Sequence, residues 1–156
     1  MVLWRISNHS DLDGVGGERG NARWHTKAVG KRIVYLAEHP ALALVETLVN
    51  LNGRTDLIPE RFQLLCIAAE SEMTFESVHE GALEENWRED LAQTQALGDE
   101  WLENRTSALF AVPSAPSPES TNYLFNPLHP DAALVKRQQH ILREEKSVRF
   151  PIELLR

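Results

Sequence analysis

Pro40-Ala41-Leu42-Ala43-Leu44-Val45-Glu46-Thr47-Leu48-Val49 is the stretch on which the fold turns. Proline in a first helical turn, with Gly53 beyond the run, frames a helix. The run is apolar nearly all round, which predicts a buried helix. Glu46 alone interrupts it. A buried lone carboxylate is costly, so such a group pairs with a cation at the core edge or faces a cleft. Arg23-Trp24-His25 and Val34-Tyr35, just upstream, favour the cleft.

Around this helix the chain alternates short apolar runs with turns. Val2-Leu3-Trp4-Arg5-Ile6 predicts a first strand, followed by the Gly-rich loop at 13–20. A second strand is expected at 32–36, immediately before the helix, and a buried third at 61–68. Residues 70–86 are acidic and irregular. Leu91, Leu97, Trp101 and Leu102 fall at helical spacing within 89–104, despite Gly98, and predict a second amphipathic helix. Strands are expected at 107–112 and 122–125, separated by the Pro113–Pro118 loop, and the charged stretch 134–150 has weak strand character. With no internal repeat or linker, residues 1–156 read as one compact α+β domain, a mixed β-sheet core with flanking helices.

At 156 residues the chain is long enough for a real core. Its formal charge of -7 argues against direct nucleic-acid binding, which relies on Lys and Arg meeting phosphates. Cys66 is the only cysteine, so an intrachain disulfide is excluded and a buried core thiol is expected. No apolar run is long enough to span a bilayer, and the N-terminus lacks a signal-peptide pattern; the expected location is the cytoplasm.

Several chemistries find no support. The six histidines form no helical i, i+4 pair and have no cysteine partner at ligand spacing, so no metal site is expected. Gly14, Gly16 and Gly17 are not followed by the Gly-Lys-Ser/Thr of a P-loop, and they fail the dinucleotide fingerprint. Ser114 does not sit in Gly-x-Ser-x-Gly. What remains is two arginines, an aromatic, a carboxylate and a hydroxyl. Arg5 and Arg23 offer planar donor forks suited to a diphosphate. Tyr35 offers a ring for stacking, and Glu46 a charge suited to an oxocarbenium-like transition state. Plain packing and surface pairing remain open for Arg5, Trp4 and Trp24.

Five segments in order carry a resemblance: Leu3-Trp4-Arg5-Ile6-Ser7; Gly14-Val15-Gly16-Gly17 with Ala22-Arg23-Trp24-His25; Val34-Tyr35-Leu36-Ala37 with the Glu46 helix; Val112-Pro113-Ser114-Ala115; and Asn122-Tyr123-Leu124-Phe125-Asn126-Pro127-Leu128-His129-Pro130-Asp131. Together they resemble the RES-domain toxins of bacterial RES–Xre toxin–antitoxin pairs, over nearly the whole chain. The resemblance implies a fold similar to ADP-ribosyltransferases and a toxin that consumes NAD as substrate at its nicotinamide–ribose bond, as glycohydrolase or phosphorylase. A protein ADP-ribosyltransferase and a non-catalytic NAD- or partner-binding module stay open beside it. The resemblance puts the family's Arg, Glu and Ser at Arg23, Glu46 and Ser114, and adds Arg5, Tyr35 and Asn126 to the NAD-binding set. It further implies an Xre-type DNA-binding antitoxin as partner and leaves a homodimer open. Ala22 stands where the family usually has Gly, and the C-terminal 149–156 lacks the Asp-x-Arg-Leu ending expected of it.

Overall fold

The computed structural model describes residues 1–54 and 63–138. The strands are β1 (Val2–Ser7), β2 (Val34–Ala37), β3 (Gln63–Ala69), β4 (Phe75–Ser77), β5 (Leu109–Pro113), β6 (Thr121–Phe125) and β7 (Val135–Arg137). The helices are α1 (Gly16–Arg19), α2 (Pro40–Asn50) and α3 (Ala92–Asn104), with two 3-10 turns at Glu80–Ala82 and Pro130–Leu134. All seven strands form one sheet in the order β4-β5-β6-β2-β1-β3-β7, and only β4 and β5 run parallel. This is the mixed α+β architecture the sequence predicts.

Alternation along the strands fills the two sheet faces differently. Leu3, Val34, Leu36, Leu65, Ile67 and Phe125 gather into one cluster. Their sequence neighbours serve the other face: Trp4 and Ile6 pack with Ala37, Leu42 and Ala43 beneath α2, while Phe110, Val112 and Leu124 meet Trp24, Trp87, Trp101 and Leu102 beneath α3. Each fully buried Leu, Val or Phe among them is worth about 1.5–3 kcal/mol of transfer free energy, which holds both helices on the same face.

Helix α2 starts as its sequence requires. Pro40 occupies its first turn, and His39 Nδ1 accepts from the Ala41 amide at 3.1 Å. Gly53, at φ +69°, donates its amide to Leu48 O at 2.8 Å and closes the helix in a left-handed turn. The expectation of a fully buried helix is corrected: only Leu42 and Ala43 are buried, whereas Ala41 and Val49 are exposed. A single helix on an open sheet face covers only the side it turns inward.

Three further differences are local. The Gly-rich loop contains the α1 turn, set by amide bonds from Gly17 to Gly14 O and from Glu18 to Val15 O. The irregular segment 70–86 holds β4, whose three exposed residues are too few to display a period. Helix α3 begins at Ala92 instead of 89, where Asp90 Oδ1 accepts the Ala92 amide. Of the expected third strand, residues 61–62 lie outside the described residues, as does everything from 139 onward, including the atypical ending.

Candidate functional site

The sheet is not evenly joined. β1 pairs with β3 from Val2 to Ser7 and β2 pairs with β6 along its whole length, but β1 meets β2 only at Trp4↔Ala37. Beyond that point the strands part, and Arg5 and Ile6 on one side face Tyr35 and Leu36 on the other across a cleft of about 820 Å³. α2 forms one wall. Residues 22–25 form another wall, and α3 fixes it in place.

That second wall explains Gly98. A Cβ there would stand 1.7 Å from the Trp24 carbonyl oxygen, so the α3 backbone lies directly on the wall. Its neighbours on the same helical face bind the wall's polar groups. Thr94 Oγ1 donates to Arg23 O at 2.7 Å, Gln95 Nε2 donates to Ala22 O at 2.9 Å, and Asp99 accepts from the Thr26 amide and hydroxyl. Lys31 completes the set with a 2.6 Å ion pair to Asp99. Burial alone would raise the Asp99 pKa, but the Lys31 and Thr26 bonds outweigh it and hold the carboxyl below its ordinary value.

Glu46 extends from α2 into the cleft one turn beyond Leu42 and Ala43, which anchor the helix. Its Oε1 accepts two hydrogen bonds, from Ser114 Oγ at 2.7 Å and from Asn122 Nδ2 at 2.5 Å. Oε2 has no such partner among the described residues. Ser114 itself is 1% exposed, and its hydroxyl also accepts from the Ser117 amide at 3.2 Å. Its hydroxyl is therefore committed to Glu46, and Ser114 is not among the cleft-lining residues.

Tyr35 contributes its ring to the cleft while its hydroxyl is tied into the wall. The oxygen accepts from the Trp24 amide at 3.2 Å and lies 2.8 Å from His25 Nδ1. Burial pushes the phenol pKa far above its ordinary 10, against the opposing Trp24 bond, so Tyr35 stays neutral.

Two arginines differ sharply in how they are held. Arg23 sends Nη1 to Trp87 O at 3.0 Å and Nη2 to Arg88 O at 2.9 Å, gripping consecutive carbonyls. Its guanidinium and that of Arg88 both lie over the Trp87 ring, at 5.6 and 4.5 Å from the centroid. Burial lowers the Arg23 pKa, against the pull of Glu46 and Glu89. Arg5 lines the cleft without a hydrogen bond or ion pair among the described residues; burial lowers its pKa, and Asp11 and Asp13 act in the other direction.

Of the residues singled out in the sequence, Arg5, Arg23, Tyr35 and Glu46 line the cleft, with Ser114 directly behind Glu46. Asn126 does not join them. It is 2% exposed, and its Oδ1 accepts the Leu128 amide at 3.0 Å, which shapes the Asn-Pro turn. Pro127 in that turn packs against Gly14, so the motif supports the Gly-rich loop from behind. Asn122, His25 and Arg88 were not singled out, yet all three line the cleft. Asn122 and His25 stood inside the quoted motifs; Arg88, in an acidic segment, gave no signal. Among the described residues no group of His, Cys, Asp and Glu is arranged to hold a metal ion.

A family model described as the RES domain matches residues 2–152. The chain belongs to the RES domain family. Among curated relatives it is 41% identical over 138 residues to a protein named Toxin Res from Pseudomonas putida, covering 88% of this chain and 92% of that protein. It is 35% identical over 147 residues to one named Prs ADP-ribosylating toxin from a Sphingobium species, covering 88% of this chain and 89% of that protein. Among solved structures, the M. tuberculosis MbcT–MbcA toxin–antitoxin complex contains a chain that superposes with a TM-score of 0.74 at 16% identity, covering 99% of this chain and 86% of that one. At that identity the likeness speaks for the fold alone. Within this RES domain Glu46 accepts directly from Ser114, while Arg23 donates to the Trp87 and Arg88 carbonyls. No helix among the described residues is long and apolar enough to cross a membrane.

Proposed function

We propose that this RES-domain chain is the toxin of a toxin–antitoxin pair and cleaves NAD at the bond between nicotinamide and ribose. The observation that carries the reading is the Glu46 carboxylate, held at one oxygen by Ser114 and Asn122 in a cleft edged by Arg5, Arg23 and the Tyr35 ring. As nicotinamide departs with the bonding electron pair, positive charge develops on the ribose. A preorganised carboxylate stabilises that charge most where water is excluded. Ser114 and Asn122 orient Glu46 and leave Oε2 for the sugar. Arg5, which makes no hydrogen bond or ion pair among the described residues, meets the phosphates together with Arg23, and the neutral Tyr35 ring packs on the nicotinamide riboside. Water or phosphate then attacks the exposed face of the sugar.

A second reading, transfer of ADP-ribose to a protein side chain, is favoured by the Sphingobium relative's name. Both reactions release nicotinamide and differ in the acceptor. The purified chain is incubated with NAD, and free nicotinamide is followed by chromatography. ADP-ribose as co-product marks water as acceptor, its 1″-phosphate marks phosphate, and a single labelled protein band in lysate marks a transferase. No nicotinamide above the blank refutes all three. A DNA-binding antitoxin of the Xre type is the proposed partner, supported by the toxin–antitoxin complex that shares this fold. Growth arrest on expression of the chain alone, relieved by the neighbouring gene, is the expected behaviour; harmless expression with NAD unchanged refutes the toxin role.

A further inference from the structure

The hydroxyl of Tyr35 meets a buried histidine in the cleft wall. Its oxygen accepts the Trp24 amide at 3.2 Å and lies 2.8 Å from His25 Nδ1, which takes the phenol proton when the imidazole is the neutral Nε2–H tautomer. Burial drives His25 toward that neutral form, since its pKa lies below the ordinary 6.5. The Gly20 carbonyl nearby and Asp99 act in the opposite direction, and Lys31 adds to the lowering. The ring proton then belongs on Nε2, which forms no well-aligned hydrogen bond among the described residues.

The support for this contact is rigid. His25 is 3% exposed, its backbone bridges to Ala22, and the segment it sits on is bound by Thr94, Gln95 and Asp99 of α3. An aromatic ring fixed only at Cβ swings about its first two torsions. One tethered also at its hydroxyl, by two groups on a rigid wall, presents a fixed face. Resting on the NAD-cleaving reading above, we infer that His25 is a positioning residue: it accepts the Tyr35 phenol proton and thereby holds the Tyr35 ring square to the nicotinamide riboside.

The test pairs spectroscopy with a mutant cycle. Long-range proton–nitrogen correlation on the wild-type chain should find His25 as the Nε2–H tautomer, with Nδ1 shifted as a hydrogen-bonded acceptor. In nicotinamide release, His25→Leu removes the acceptor and should lower kcat/KM about 3- to 10-fold, the worth of one neutral hydrogen bond. His25→Asn, whose amide oxygen reaches the Nδ1 position, should stay within about 2-fold of wild type on the same scale. In a Tyr35→Phe background the Leu substitution should cost nothing further. A merely structural histidine would lose as much in both backgrounds and would not be rescued by Asn. An Nδ1–H tautomer, or additive losses in an active enzyme, overturns the inference and leaves the NAD reading standing. An inactive wild type overturns the NAD reading, and the role of His25 in it falls too. If His25→Leu does not fold, the tautomer and the His25→Asn rate decide.

Discussion

Replacing Glu46 by glutamine separates charge from architecture, because the structure says which oxygen does which job. Both donors, Ser114 Oγ and Asn122 Nδ2, converge on Oε1. A glutamine carbonyl oxygen accepts the same two bonds, and its amide nitrogen takes the place of Oε2. Folding stability should therefore stay within about 1 kcal/mol of wild type, as expected where no polar group loses its partner. Nicotinamide release should fall on the order of 100- to 1000-fold, the loss typical of removing one preorganised electrostatic group. Alanine makes the contrast. It orphans a serine hydroxyl that is 1% exposed and an asparagine amide on a residue 8% exposed. An orphaned buried donor costs about 1–3 kcal/mol. For a domain of this size that is roughly 2–12 °C in Tm for each orphaned donor, at about 2–4 °C per kcal/mol. The assays are thermal melts and single-turnover nicotinamide release on wild type, Glu46→Gln and Glu46→Ala. Glutamine turning over within 10-fold of wild type would remove charge stabilisation by Glu46 from the mechanism (about 1.4 kcal/mol per factor of ten). Equal melting temperatures for Gln and Ala would mean that the Ser114–Asn122 cradle contributes nothing to stability.

Arg5→Ala should weaken NAD binding on the order of 10- to 100-fold in titration calorimetry, the worth of charged hydrogen bonds, with the melt little changed because Arg5 has no hydrogen bond or ion pair to lose among the described residues; unchanged affinity would refute its phosphate role. Arg23→Ala should lower affinity and melting temperature together, since two carbonyl bonds are lost, and Lys should restore only part because an ammonium cannot grip both carbonyls as a fork. Gly98→Ala should destabilise by at least about 1–3 kcal/mol, the usual cost of overpacking, since its methyl would overlap the Trp24 carbonyl; denaturant titration checks it, and a neutral result would disprove the close contact. As the folded-state pKa of His25 is lowered, the unfolded chain binds the proton first on acidification. Stability should thus be full above about 6.5 and decline as pH falls from there toward the lowered folded value. His25→Asn should flatten that slope in melts between pH 7.5 and 5.5, and an unchanged slope would assign it to other groups.

Local sequence was enough for most of the elements and for half of the candidate site. Pro40 and Gly53 marked the ends of α2, alternation and apolar runs marked β1, β2, β3, β5 and β6, and Glu46 stood out because a carboxylate in an apolar run is costly wherever it folds. Each of those signals is carried by residues a few positions apart. β4 was invisible because it is three residues long and owes its existence to pairing with β5. Gly98 read as a flaw in a helix until the Trp24 carbonyl arrived against it from 74 positions upstream. The cleft itself comes from β1 and β2 parting after a single paired position, a property of register that no residue announces. Asn126, singled out as a ligand-binding side chain, bonds to the backbone of its own turn, while Asn122, four residues earlier, donates to Glu46. Sequence alone decided which groups are expensive to bury. Only the tertiary structure decided which partners cover that expense, because the donors to Glu46 lie 68 and 76 positions away and meet it only once the sheet has closed.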